Sequence, residues 1–167
     1  MPFDNIQSSN FNTPILYLVF NRPGSTQITF EILRKLKPKY LFIGADGPRD
    51  GNSEDKRNCN RVKNIIETVD WDCRLHKLFR NNNLGCKRAV SEAIGWFFDQ
   101  VEKGIILEDD CLPNQSFFRF CSELLEKYKD DNRVGLISGN NFNFGTPARN
   151  DYSYYFSKWG GVLEVII

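Results

Sequence analysis

Gly104-Ile105-Ile106-Leu107-Glu108-Asp109-Asp110 sets a short uncharged run directly against three carboxylates. A continuous apolar run of this length, with no polar residue alternating through it, predicts a strand buried on both faces. Strands of that kind occur in parallel sheets covered by helices. Two more runs share the pattern on the N-terminal side. Pro14-Ile15-Leu16-Tyr17-Leu18-Val19-Phe20 is stopped by Asn21-Arg22-Pro23-Gly24, and Tyr40-Leu41-Phe42-Ile43-Gly44-Ala45 breaks at Asp46-Gly47-Pro48. Residues 73–80 alternate loosely and predict a further strand, with the lone His76 as one of its residues rather than a catalyst. Residues 133–138 predict a fifth.

Helical spacing fills the gaps. Ile28, Ile32, Leu33 and Leu36 recur at turns of a helix over residues 25–37, with Pro38 as its stop. Ser53 is placed to cap a helix whose inner face is Val62, Ile65, Ile66 and Val69. Asn81-Asn82-Asn83-Leu84-Gly85 leads into a helix with Ala89, Val90, Ala93, Ile94 and Phe97 inward. After Pro113-Asn114 a helix carries Phe117, Phe118, Cys121, Leu124, Leu125 and Tyr128 as its stripe. Strand and helix thus alternate, which predicts a three-layer α/β/α fold with a mostly parallel sheet and right-handed crossovers. In such sheets ligands bind beyond the carboxyl ends of the strands. The segments to examine are therefore Phe20-Asn21-Arg22, Asp46-Gly47, residues 81–85, Glu108-Asp109-Asp110 and Gly139-Asn140-Asn141.

Composition bounds the rest. The chain has 167 residues, 41% hydrophobic and 26% charged, the range of one globular domain. Residues 1–12 read as an irregular leader, 13–142 as the α/β domain, and 143–167 as the start of a further region. In that last region residues 152–156 suggest a strand and Trp159-Gly160-Gly161 a turn, before an apolar end, Val162 to Ile167. An unpartnered terminal strand of that kind is an edge through which two copies can pair. Lys plus Arg number 22 and Asp plus Glu 21, so a nucleic-acid partner is not expected. No stretch is apolar enough for a transmembrane segment and no signal peptide is apparent. Five cysteines without CxxC spacing suggest neither a disulfide framework nor zinc, and a cytoplasmic location is the simplest expectation.

Three adjacent carboxylates at the tip of a buried strand are costly without a cation or hydrogen-bond donors. Mg²⁺ or Mn²⁺, held by one or two carboxylates plus substrate phosphates, is one resolution; a solvated acidic turn is the plainer one. Asp46 can accept from the N3–H of a pyrimidine, or simply cap its own turn. Lys87 and Arg88 lie just inside a helix start, a place suited to phosphate, although two solvated helix residues read equally well. Asn21-Arg22-Pro23-Gly24 supplies either nucleotide contacts or an ordinary strand-to-helix turn.

Together, Asn21-Arg22-Pro23, Ala45-Asp46-Gly47-Pro48, Asn82-Asn83-Leu84-Gly85-Cys86-Lys87-Arg88-Ala89 and Ile106-Leu107-Glu108-Asp109-Asp110-Cys111-Leu112-Pro113 resemble the nucleotide-sugar half of GT-A-fold glycosyltransferases. The closest likeness is to the N-acetylglucosaminyltransferase I-like group and its bacterial relatives, over about residues 13–142. The resemblance implies metal-dependent hexosyl or N-acetylhexosaminyl transfer from a nucleotide-diphosphate sugar, a UDP-sugar first, to a glycan or other hydroxyl acceptor. It implies Asp110 as the ligand of Mn²⁺ or Mg²⁺ in a DxD-like motif, with Glu108 and Asp109 contacting ribose or organising that shell. It further implies Asp46 toward the base, Lys87 or Arg88 toward the uracil or diphosphate, and Phe20, Asn21 and Arg22 along the nucleotide.

Members of that family continue into an acceptor-side half that normally supplies the base. Residues 154–160 resemble the approach to it and residues 161–167 do not continue it, so the expectation is a truncated member. No catalytic base is nominated; Asp151 and Glu164 are carboxylates that nothing in the sequence places in the site. The alternatives are a catalytically inactive nucleotide-sugar-binding domain and a phosphotransfer or receiver-like module. The second lacks its acidic pair after the first strand, where Asn21-Arg22 stands, and has no DxDxT.

Overall fold

The apolar runs fold as strands because neither of their faces tolerates water. The computed structural model describes residues 11–139 and 164–166. β1 (Ile15–Val19) is buried along its whole length, and β2 (Tyr40–Ala45) and β4 (Gly104–Glu108) are buried at all but one end residue. β3 (Arg74–Phe79) has no fully buried residue. It lies at the sheet edge, where Arg74, His76 and Lys77 suit a border that must not pair further.

The sheet order is β3-β2-β1-β4-β6-β5, with β5 at Leu136–Ser138 and β6 at Glu164–Ile166. β3, β2, β1 and β4 are parallel, Ile15 standing opposite both Leu41 and Ile105. β6 runs antiparallel to β4 and to β5.

Strand parity assigns the helices to faces. Ile15, Tyr17, Val19, Leu41, Ile43, Ile105 and Leu107 form one core with Phe30 and Leu33 of α1 (Pro23–Leu36), Val62 and Ile66 of α2 (Ser53–Ile66), and Phe118 and Leu125 of α4 (Gln115–Lys127). Leu16, Leu18, Phe42 and Ile106 face the other way, onto Ala93 and Phe97 of α3 (Cys86–Phe98). Helices therefore cover both faces, as the alternation predicts. The chain steps outward from β1 to β3, then α3 carries it back across the opposite face to β4. The direction of travel reverses beside β1, so the β1–β4 boundary is the switch point where such sheets hold ligands.

Local chemistry explains where the elements differ from expectation. Asn52, not Ser53, caps α2: its side chain accepts from the Asp55 N–H at 3.0 Å. Gly51 turns the chain at φ +71 just before, which leaves Asn52 as the last extended residue and Ser53 already helical. Such a cap contributes about 1 kcal/mol. β5 is shorter than predicted because the Asp131 carboxylate accepts from the Arg133 N–H (3.1 Å) and its guanidinium (2.8 and 2.7 Å), closing a turn over residues 131–133. The C-terminal strand departs most. Residues 164–166 are paired on both sides, Ile166 opposite Gly104 and Leu136, and so present no edge to a second copy. The expected strand at 152–156, the turn at Trp159-Gly160-Gly161, and the tip residues Asn140-Asn141 lie outside the described residues. Among the described residues no helix is long and apolar enough to cross a membrane.

The fit of α3 against β4 depends on Gly104. A Cβ there would stand 2.3 Å from Cζ of the fully buried Phe97 and 2.9 Å from the Pro14 carbonyl oxygen. Overpacking of this kind costs about 1–3 kcal/mol. In urea titration Gly104→Ala is expected to lower the midpoint with an unchanged slope. Gly95→Ala, on the same helix with nothing within 4 Å of its Cβ, should raise it.

Candidate functional site at the strand tips

Arg22, just after β1, reaches across to the tip of β4. Its Nη2 pairs with Asp109 Oδ1 at 2.7 Å and its Nη1 with Asp110 Oδ2 at 2.9 Å. The cation that the acidic triplet calls for is thus present in the chain itself. Asp109 is only 2% exposed, and its second oxygen, Oδ2, is the one buried side-chain N or O atom among the described residues with no hydrogen-bond partner. Burial pushes the Asp109 carboxyl above its ordinary pKa, opposed by Arg22. Arg22 is itself partly desolvated, but the two carboxylates outweigh that and strengthen its hold on its proton. Asp110 is about half exposed. Glu108, the last residue of β4, is partly buried and in register with Leu18. The turn is fixed from behind: Cys111 N–H donates to the Glu108 carbonyl (3.1 Å), and the buried Thr29 hydroxyl of α1 donates to the Cys111 carbonyl (2.8 Å).

Asp46, at the tip of β2, is buried and fully engaged. Oδ1 accepts from the Gly47 N–H (2.9 Å) and the Leu84 N–H (3.0 Å), while Oδ2 accepts from Asn83 Nδ2 (2.9 Å). The self-capped turn is therefore real, but it also clamps the β3–α3 loop. That loop lies so close that a Cβ on Gly47 would sit 2.5 Å from the Asn82 nitrogen. In this arrangement the carboxylate expected to face a base is occupied by the loop.

A third aspartate escaped the sequence reading. Asp55, in the first turn of α2, is 2% exposed and accepts from Asn21 Nδ2 (2.7 Å), Arg49 Nε (2.5 Å) and Arg49 Nη2 (2.9 Å). The Arg49 hydrogen bonds hold its pKa far below the ordinary carboxylate range, against the opposing effect of desolvation. In the sequence Asp55 looks like an ordinary acidic residue near a helix start. No periodicity links it to Asn21, thirty-four positions away.

Lys87 and Arg88 occupy the exposed start of α3, beside an open depression of about 600 Å³ lined also by Leu84, Gly85, Cys86, Ser91 and Glu92. Gly85 at φ +79 leads into the helix without a side-chain cap, which leaves first-turn N–H groups available. Arg88 pairs with Glu92 on its own helix (2.7 Å), not with the tips of β1 and β4. The structure thus joins Arg22 to Asp109 and Asp110, ties Asn21 and Phe20 to the Asp55–Arg49 pair, and links Asp46 to the loop that leads into α3.

No group of three or more Cys, His, Asp or Glu side chains among the described residues is arranged around a common metal position. The half-exposed Asp110 carboxylate and the unpartnered, buried Asp109 oxygen are oxygen donors of the type a hard divalent ion takes together with ligand phosphates. The sequence matches no family model and no curated protein.

Asp55 and Asp109 predict opposite pH responses. Asp55 is depressed in the fold, so its contribution to stability is present above the unfolded value, about 4, and is lost as pH falls through that region and below. Asp109 is raised, so its contribution is full below about 4 and is lost as pH rises through its folded value. Urea unfolding measured from pH 3 to 7 should show Asp55→Asn flattening the acid-side loss. Over the same series wild type should lose stability relative to Asp109→Asn as pH rises.

Proposed function

We propose that this chain binds a nucleotide-diphosphate sugar across the tips of β1, β2 and β4 and transfers the sugar to a hydroxyl acceptor, as a GT-A-type glycosyltransferase. The observation that carries the reading is the Arg22–Asp109–Asp110 cluster at the switch point, with one buried carboxylate oxygen left unsatisfied. The parallel order β3-β2-β1-β4 supports it, because nucleotide-binding doubly wound sheets share that half of their order.

In this reading Asp110 holds Mn²⁺ or Mg²⁺, with Asp109 as its neighbour. The bound ion supplies Lewis-acid neutralisation of a departing diphosphate. Arg22 offsets the repulsion between the two carboxylates it bridges and, being half exposed, is free to turn toward ligand phosphate. The exposed cations Lys87 and Arg88 at an uncapped helix start suit the diphosphate oxygens. Asp46 acts first as the clamp that shapes loop 81–85. None of the carboxylates described is assigned to deprotonating the acceptor.

Thermal unfolding with UDP, GDP and their sugars, with and without Mn²⁺, tests this. A ligand at about 100 times its dissociation constant adds roughly 2.7 kcal/mol to a native state that alone binds it. The expected result is Mn²⁺-dependent stabilisation by UDP-sugar that Asp110→Ala abolishes without lowering the ligand-free midpoint by more than a degree or so, since the side chain is half exposed. No nucleotide effect, or one indifferent to Mn²⁺ and to Asp110→Ala, rejects the reading. Binding without donor hydrolysis or transfer would instead assign a non-catalytic nucleotide-sugar-binding domain.

A further inference from the structure

We infer that Arg49 is the nucleobase-side hydrogen-bond donor of the site, selecting bases that carry an exocyclic carbonyl, and that Asp55 is the positioning residue that aims it. This rests on the nucleotide reading above and adds to it a recognition element that no sequence motif marks.

The geometry begins with the buried Asp55 carboxylate. It takes Arg49 side-on, Oδ2 from Nε at 2.5 Å and Oδ1 from Nη2 at 2.9 Å, and accepts the Arg49 backbone N–H at 3.3 Å. A planar guanidinium held by that edge has its plane fixed, with Nη1 pointing away from the carboxylate. Nη1 makes no hydrogen bond among the described residues, and the Arg49 side chain is 59% exposed. Its guanidinium carbon lies 5.9 Å from the centre of the Phe20 ring, so the cation is steadied from a second side. Asn21 donates to the same Asp55 oxygen that Nη2 uses, which ties the β1 tip and the loop after β2 into one unit.

Position and charge decide what Nη1 would meet. Arg49 follows the tip of β2, the side on which doubly wound sheets place the nucleoside, while the acidic triplet at the tip of β4 lies on the far side of β1, toward the diphosphate. Asp55 already balances the guanidinium charge, so the pair is close to neutral as a unit. A neutral carbonyl acceptor suits a donor so balanced better than a phosphate does. Uracil and guanine present exocyclic carbonyls and adenine presents none. The inferred contact therefore discriminates UDP and GDP from ADP.

The test measures calorimetric affinities of UDP, GDP, ADP and inorganic pyrophosphate in Mn²⁺, for wild type, Arg49→Met, Arg49→Lys and Asp55→Asn. Wild type should bind UDP or GDP more tightly than ADP. Arg49→Met should lose on the order of tenfold for the preferred nucleotide, the size of one hydrogen bond from a charged donor, with ADP and pyrophosphate unchanged. Arg49→Lys should lose the same discrimination, because an ammonium cannot keep the side-on clamp. Asp55→Asn should lose it with Arg49 still present, as positioning requires; a merely structural role would weaken all four ligands alike. Ligand-free melting temperatures identify a variant that fails to fold, and Arg49→Lys then serves as the milder probe. Equal affinity of wild type for UDP, GDP and ADP, or parallel losses for every ligand in Arg49→Met, overturns the Arg49 assignment alone. Failure of wild type to bind any nucleotide overturns the nucleotide reading together with it.

Discussion

Among the described residues three aspartates, two at strand tips and one in the first turn of α2, are buried around the carboxyl ends of the parallel strands, and the shape of the rim follows from how each is satisfied. A carboxylate removed from water costs several kcal/mol unless donors surround it. Asp46 meets that demand with backbone N–H groups and an asparagine, Asp55 with an arginine and an asparagine, and Asp109 with an arginine and the Phe20 backbone. Each aspartate takes at least one donor from another loop. Satisfying the charge therefore ties the loops together: β2 to the β3–α3 loop, α2 to the tips of β1 and β2, and β4 to β1.

The three solutions are not equivalent, and the difference divides the rim by task. Asp55 accepts four hydrogen bonds, about as many as a carboxylate can take, and is firmly ionised, which makes it a support. Asp46 is equally complete. Asp109 has one oxygen without a partner and a carboxyl pushed upward by burial, with the accessible Asp110 beside it. Spare capacity for a ligand or ion thus sits at the β1–β4 switch point. The β2 side carries rigid, pre-aimed donors instead. Chemistry at one end and recognition at the other is the division that the proposed nucleotide-diphosphate donor would require.

Much of this was legible because it is local. The runs at 15–19, 40–45 and 104–107 announce buried strands through apolarity alone, and Leu33 with Leu36, Val62–Ile66 and Phe118–Leu125 announce their helices through spacing, although Ile28 of the first stripe is 56% exposed and Phe30 fills the core instead. The strand-tip rule then located Asn21, Arg22 and Glu108-Asp109-Asp110 without any structure. Where the reading slipped, a competing local contact was stronger. Asn52 outcompetes Ser53 for the cap because Gly51 sets the turn, and Asp131 folds back on Arg133 and shortens β5. Asp55 was invisible for another reason. Its partners come from two other loops, and a lone acidic residue near a helix start carries no mark of burial.

By itself, then, the sequence determined the strands, the helices, the two-faced sheet and the tips that carry the candidate site, since each follows from periodicity or from residues adjacent in the chain. Only the tertiary structure decided that Arg22 is the counter-cation of Asp109 and Asp110, that Asp46 clamps a loop, and that Asp55 aims Arg49. It alone placed residues 164–166 inside the sheet between β4 and β5, where an apolar end looked like a free edge. The physical reason is common to all four. Hydrogen-bond demand and strand pairing are met by whichever groups the fold brings near, and separation along the chain does not record that proximity.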